Sequence, residues 1–328
     1  MLWLLILLAL VFAFINGFRD SSSVIAGVIA SRSMPPRLAL ALCGFAELVA
    51  PFLFGTAVAK SLTTGLVNPE MVTLNTITAA MAAALAWTVV TWLRGIPSSS
   101  SHALVGGILG AVLKTSGTRA IVTGGLLKVV LPLFLAPIIG LGVGFVMMKI
   151  ILFATWNATP RVNRLFQRPR IVTMIGLALS HSANDSQKSM GIITLGLLLS
   201  GKLSSFDVPV QIVALCAAAI ALGASRGDWR LIRTLGRKIY IIRPINALAS
   251  QSSSAIVLLI SALLGAPVST SQVISMALLG SGAAERMNKV RWQVGGDMLI
   301  TWLLTVPVTM LISALIIGVT QVIVTWVG

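Results

Sequence analysis

The chain has 328 residues, of which 57% are hydrophobic and only 10% charged, with a mean hydropathy of +0.99. A soluble domain carries roughly 25% charged residues, so these proportions exclude one. The 24 Lys+Arg against 8 Asp+Glu leave a net charge of +16, but too little polar surface remains to form a basic face for nucleic acid.

A span needs about 20 apolar residues, which predicts an all-α polytopic membrane protein with about ten transmembrane helices embedded in the lipid bilayer. In chain order, suitable segments run at 2–31, 38–59, 73–93, 118–136, 137–156, 171–200, 208–224, 244–264, 292–307 and 308–327. Met1 to Ile15 has neither a basic n-region nor a small-residue cleavage site, so it reads as a first membrane helix. Two shorter segments, 97–113 and 267–284, open with Pro and a run of hydroxyl residues. Too short to cross twice and too apolar to be loops, they are predicted to be re-entrant helical hairpins.

With the N-terminus outside and each span crossing once, fifteen basic residues fall on inner loops. They are Arg32, Arg37, Arg94, Lys114, Arg119, Arg161, Arg164, Arg168, Arg170, Arg226, Arg230, Arg233, Arg237, Lys238 and Arg243. Lys60, Lys202, Arg286, Lys289 and Arg291 fall outside. This bias fits the positive-inside rule and predicts a multi-pass protein of the cell's inner (plasma) membrane with both termini outside. The basic cluster at 157–170 reads as a cytoplasmic linker between residues 1–156 and 171–328.

Those two halves repeat. Pro97-Ser-Ser-Ser-Ser-His102 aligns with Pro267-Val-Ser-Thr-Ser-Gln272 at an offset of 170, and Gly17-Phe-Arg-Asp20 with Ser182-Ala-Asn-Asp185 at 165. Gly124-Gly125 matches Gly295-Gly296, and Pro137 matches Pro307. Five crossings per half is odd, so the halves form inverted repeats, the architecture of secondary transporters with interrupted helices at the binding site.

Of eight acids, Asp20, Glu47, Asp185 and Asp297 lie inside apolar segments. Each ionised Asp at a helix centre costs roughly 2.5–3.5 kcal/mol, so a chain this poor in acids is expected to use them. Around Asp20 and Asp185 the residues Asn16-Gly17, Ser21 to Ser23 and Ser180 to Ser189 compete for backbone bonds and predict helix breaks. Broken helices and the two hydroxyl runs would present four helix N-termini to an anion. The candidate oxyanion site is Asp20, Ser21, Ser22, Ser99, Ser100, Ser101, Asp185, Ser186, Gln187, Ser269, Thr270 and Ser271, with Arg19 as a fixed cation beside it. Asn16, Asp20, Glu47, Asn184 and Asp185 are the candidate coupling-ion residues, with Asp20 and Asp185 able to hold Na⁺. Ion pairing of Asp20 with Arg19, or of Asp185 with Lys188, is the structural alternative. The two cysteines, Cys43 and Cys216, read as buried hydrophobes, and His102 and His181 as too few and too distant for a metal cluster.

At these residues the chain resembles the inorganic phosphate transporter (Pit) family. The resemblance rests on Ser182-Ala183-Asn184-Asp185 within LSHSANDSQKSMGIIT, and on the hairpin openings IPSSSSHALVGGILG and APVSTSQVISMALLG. NGFRDSSS, DWRLIRTLGRKIYIIRP and VRWQVGGDMLITWLLTVP extend it over essentially the whole chain. It implies a symporter of inorganic phosphate with Na⁺ or H⁺ as coupling ion, no other cofactor, and Asp20 and Asp185 as the paired acids. The chain departs from the family pattern at Arg19, Ser23, Gln251 and Gln272; Arg19, for an Asn, bears on anion binding or stoichiometry. The resemblance does not decide between a monomer and a homodimer.

Two alternatives are weighed. Within transport, sulfate or another tetrahedral oxyanion replaces phosphate. In another class, Ser101, His102 and Asp20 form a serine hydrolase triad; Gln272 at the position matching His102 disfavours it, since transport and not catalysis needs matched halves. The chain is therefore expected not to be an enzyme, and it contains no G-x-x-x-x-G-K-[ST] nucleotide loop.

Overall fold

The structure, a computed structural model, describes residues 1–30, 34–156, 167–228, 244–290 and 292–327. Eleven α-helices make up the described residues, without strands. They are α1 (Leu2–Ala30), α2 (Pro36–Leu53), α3 (Ala57–Leu62), α4 (Leu74–Leu93), α5 (Ser100–Ser116) and α6 (Thr123–Ala154). After them come α7 (Gln167–Leu199), α8 (Val210–Arg226), α9 (Pro244–Leu263), α10 (Thr270–Arg286) and α11 (Trp292–Val327). Six of these are long and apolar enough to cross a membrane, namely α1, α2, α4, α6, α9 and α11. The linker at 157–166 and most of the DWRLIRTLGRKIYIIRP segment lie outside the described residues, as do Arg32, Arg291 and the side chains of Arg168 and Asp297.

Leaving α3 aside, the element order of the first half returns in the second. The helices α4 and α9 are each 20 residues long and α5 and α10 each 17, and each pair starts 170 residues apart. Packing is reciprocal between the halves. Helix α1 packs on α8 while α7 packs on α2; α5 packs on α11 while α10 packs on α6. Each half therefore completes its core only with helices of the other.

Three expectations about helix continuity change. The spans at 118–136 and 137–156 are one helix, α6, which carries Pro132 and Pro137 inside it. Likewise 292–307 and 308–327 merge into α11 around Pro307. Proline is tolerated in such helices because neighbouring groups satisfy the freed carbonyl. The breaks expected at Asp20 and Asp185 are absent, since α1 and α7 run through both acids. The hydroxyls that were expected to compete with the helix bond back into it: Ser21 Oγ donates to Phe18 O (3.3 Å), Ser180 Oγ to Gly176 O (2.8 Å) and Ser186 Oγ to Ser182 O (2.5 Å). Of the four helix N-termini expected at the site, only those of α5 and α10 exist.

Segments 97–113 and 267–284 each contain one helix, α5 or α10, that folds back on the helix before it. The reversal uses Gly95 (φ 66°) and Gly265 (φ 68°), left-handed positions open to glycine. Pro97 and Pro267 then hold an extended approach to the caps Ser99 (φ −97°, ψ 121°) and Ser269 (φ −96°, ψ 109°).

Burial is reversed relative to a water-soluble protein. Large apolar side chains such as Leu127, Ile138 and Phe153 on α6, and Leu303, Leu311 and Leu315 on α11, are exposed, while every residue from Ser180 to Gly196 on polar α7 is buried. An apolar belt of this extent fits a lipid environment.

Helix crossings are close where glycine permits it. A Cβ on Gly280 of α10 would stand 2.0 Å from Leu141 O of α6, and one on the matching Gly110 of α5 would stand 2.2 Å from Met310 O of α11. Because the obstacle is backbone, Gly280→Ala forces the helices apart. The expected loss is about 1–3 kcal/mol, the usual cost of overpacking, read as a lower thermal unfolding temperature in detergent. An unchanged temperature would show that the crossing is looser than it stands here.

Candidate functional site

Helix α7 supplies the centre of the site. His181, Asp185 and Lys188 lie at i, i+4 and i+7, on one face of the helix. All three are fully buried. Lys188 Nζ donates to Asp185 Oδ1 at 2.8 Å, and Thr270 Oγ1, in the first turn of α10, donates to the same oxygen at 2.9 Å. The positive end of α10 and the ammonium together offset a carboxylate that burial would otherwise penalise.

His181 joins the two acids that the repeat matches. Its Nε2 stands 3.7 Å from Asp20 Oδ2 and 3.7 Å from Asp185 Oδ2, while Nδ1 is 2.8 Å from Glu47 Oε1 of α2. The 3.7 Å separations are too long for hydrogen bonds. Asp20, His181 and Asp185 each point one ligand atom into a space where all three lie within 4.8 Å of one another. Asp185 Oδ2, Glu47 Oε2 and both amide atoms of Asn16 are buried with no hydrogen-bond partner among the described residues. Buried polar atoms normally find partners, so this cluster has the donor set of a small-cation or proton site.

Beside it lies a cavity of about 70 Å³ lined by Arg19, Asp20, Ser23, Trp92, Ser98 and Ser271, among others. Arg19 Nη2 donates to Ser98 O at 3.1 Å, holding the turn between α4 and α5. The matching residue of the second half does the same for the other turn. Asn184 Nδ2 donates to Ala266 O (3.0 Å), and Asn184 Oδ1 accepts from Val268 N–H (3.3 Å). Arg19 thus occupies an anchoring position, with its guanidinium also facing the cavity.

The remaining expected residues divide. Ser271 lines the cavity and Thr270 holds Asp185. Ser99 caps α5, accepting from His102 N–H (3.2 Å), and Ser269 caps α10 with Oγ 3.4 Å from Ser271 Oγ. Ser100 is buried in the first turn of α5. Others are engaged in packing. Ser22 bonds the backbone of Asp228, Ser101 Oγ donates to Val268 O (2.7 Å), and Gln187 Oε1 accepts from Val58 and Ala59 N–H (2.7 and 3.2 Å), capping α3. Ser21 and Ser186 bond their own helices. The triad arrangement is not made: His102 Nδ1 faces Ser99 Oγ at 2.8 Å, whereas Ser101 bonds elsewhere. Gln251, where an acid is common in the resembled family, donates to Val24 O (2.9 Å) and accepts from Thr173 (3.0 Å), a bridge that a carboxylate cannot make in full.

Sequence reasoning missed His181, set aside because two histidines seemed too few for a metal group. Its spacing of four from Asp185 on one helix was the available signal. It also did not single out Asp228, which is 5% exposed and bonded to Ser22 and Trp92.

The chain matches the model of the Phosphate transporter family over residues 16–159 and 153–313. It belongs to that family. Among its relatives, a "Probable low-affinity inorganic phosphate transporter" of Rhizobium meliloti is 41% identical over 317 residues, covering 95% of this chain and 94% of the relative. One of the same name from Bacillus subtilis is 38% identical over 317 residues, covering 95% of each. A solved structure titled "The sodium-dependent phosphate transporter" superposes with a TM-score of 0.91 over 98% of this chain and 99% of the other at 22% identity, which establishes the shared fold. With these relatives and the apolar belt, the chain is a multi-pass membrane protein of a transporter family.

Removing Lys188 leaves Asp185 without its counter-charge. Lys188→Met is expected to cost about 3–5 kcal/mol, the usual penalty for breaking a buried ion pair from one side, measured by thermal unfolding. A pair that is dispensable for stability would show no shift.

Proposed function

We propose that this transporter imports inorganic phosphate across the inner membrane by symport with a cation, Na⁺ or H⁺. The observation that carries the reading is that Asp20 and Asp185, matched in the two halves, converge within reach of one small cation next to a cavity faced by Arg19 and Ser271. Membership of the Phosphate transporter family and the printed names of its relatives support phosphate as the substrate.

The chemistry follows from charge. Asp20, Glu47 and Asp185 are three acids gathered with two fixed cations, Arg19 and Lys188, and a histidine that is neutral until it takes a proton. With all three acids ionised and His181 neutral, the cluster lacks one positive charge. A cation between Asp20, His181 and Asp185 restores the balance and lowers the cost of bringing an anion alongside, because opposite charges attract strongly at low dielectric. Arg19, Ser271 and the N-terminus of α10 supply donors for the oxyanion. Alternating access then moves the two α4–α5 and α9–α10 units around this centre, in the two repeats divided near residues 157–170. Sulfate is disfavoured, since a protonated phosphate can donate to a carboxylate and sulfate cannot.

In proteoliposomes, phosphate accumulation is expected only under an imposed Na⁺ or H⁺ gradient, and Asp20→Asn and Asp185→Asn are each expected to abolish it while the protein stays folded. Uptake indifferent to both gradients, or normal accumulation by either variant, would refute symport through these acids. Competition among phosphate, arsenate and sulfate, with and without Na⁺ at two pH values, separates the substrates and the coupling ions.

A further inference from the structure

One wall of the cavity has no part in the transport reading. Trp92, in the last turn of α4, lines it with Arg19, Asp20 and Ser23 and is half-buried; the exposed Gly95, Ile96 and Pro97 line it too. The cavity therefore reaches the surface at this turn, and the indole stands at its mouth. It is held from two sides. Phe18 of α1 meets it edge-on, with ring centroids 5.7 Å apart and planes at 87°. Its Nε1–H donates to Asp228 Oδ2 at 2.7 Å. Asp228 is fixed in turn at the end of α8, where Ser22 Oγ accepts from its N–H (2.9 Å) and donates to its C=O (3.0 Å). A buried carboxylate of the second half thus reaches a tryptophan of the first.

This contact breaks the match between the halves. The turns after α4 and α9 correspond, with Gly95 against Gly265 and Pro97 against Pro267, but the position matching Trp92 is Ala262. The turns also differ in how they are tied. Asn184 grips the second as both donor and acceptor, at Ala266 O and Val268 N–H, whereas Arg19 holds the first at Ser98 O. A guanidinium is a donor only, so Arg19 cannot grip its turn as both donor and acceptor as Asn184 does, and it also lines the cavity. The bulky ring accordingly stands over the more loosely tied turn.

We propose that Trp92 is the gate on the α4–α5 side of the cavity and that Asp228 is the latch that holds it shut. What passes the gate, an oxyanion bound for Arg19, rests on the transport reading above. With the indole–carboxylate bond made, Trp92, backed by Phe18, narrows that mouth beside Arg19 and Asp20. With it broken, rotation of Trp92 about its side-chain torsions opens a path between α4 and α1. The bond is charge-assisted and so among the stronger ones, and an indole has one N–H, so the ring is released when that bond is lost.

The test is the rate at which a membrane-impermeant thiol reagent labels Ser23→Cys, in a background carrying Cys43→Ala and Cys216→Ala, in sealed vesicles of either orientation. Trp92→Phe keeps a ring against Phe18 but lacks the N–H; Asp228→Ala removes the acceptor and keeps the backbone bonds to Ser22. Each is expected to speed labelling from the Arg94 face by about tenfold or more, as for loss of a hydrogen bond to a charged group, without changing it from the opposite face. Added to Asp228→Ala, Trp92→Phe should bring no further gain, because the bond it removes is already lost. Rates equal to the parent's, or a further gain from Trp92→Phe in that background, would overturn the proposal. If Asp228→Ala does not fold, Trp92→Phe decides alone. Labelling needs no transport, so a faster rate in these variants, with no phosphate accumulation by the unaltered protein under either gradient, would sink the transport reading and leave the gate standing.

Discussion

A charged helix buried away from water must have every polar group answered by another part of the chain, and α7 imposes that demand on its neighbours. From Ser180 to Gly196 it is wholly enclosed, yet it carries His181, Asn184, Asp185, Gln187 and Lys188. The answers place the surrounding elements. Glu47 brings α2 to His181, and its carbonyl accepts from Ser182 Oγ at 2.7 Å. Gln187 caps α3, Asn184 holds the turn before α10, Thr270 brings the start of α10 to Asp185, and Ser189 Oγ donates to Ala9 O of α1 at 2.8 Å. In a medium where an unpaired charge costs several kcal/mol, these bonds act as positional constraints as well as sources of stability.

The same demand accounts for the site. Not every atom of the cluster is answered: Asp185 Oδ2, Glu47 Oε2 and the Asn16 amide remain without partners among the described residues. Asp185 Oδ2 lies where helices of the two halves meet, facing His181 Nε2 across from Asp20, so the cluster the proposed cation would enter is left short of donors by the protein itself. Arg19 belongs to a different layer. By taking the place of Asn184 in the first half it anchors a backbone turn while also lining the cavity.

Symmetry and its departures divide the labour between the halves. Matched glycines at 110 and 280 set matched helix crossings, and matched caps at Ser99 and Ser269 start matched helices. His102 and Gln272, also matched, approach each other at 3.4 Å. Against this frame, Arg19 for Asn184 and Trp92 for Ala262 are local differences on the wall of one cavity. They make otherwise equivalent units unequal at that wall.

The amino-acid sequence by itself determined the class and the repeat, because membrane solvation and internal duplication are written in composition and order. Few charges, long apolar runs, and the Pro–hydroxyl openings at 97 and 267 suffice for that. It also singled out Asp20 and Asp185, since a buried acid is costly wherever it sits. It misjudged helix continuity at both acids and at Pro137 and Pro307, because local propensity is blind to serines that bond back to their own helix and to neighbours that shelter a proline. Only the tertiary structure decided that His181 stands between the two acids, that Arg19 is an anchor and that Asp228 is buried against Trp92. Those facts are distances between residues far apart in the chain, such as Trp92 and Asp228, 136 positions apart. Spacing along a chain reports such distances only within one helix, as between His181 and Asp185.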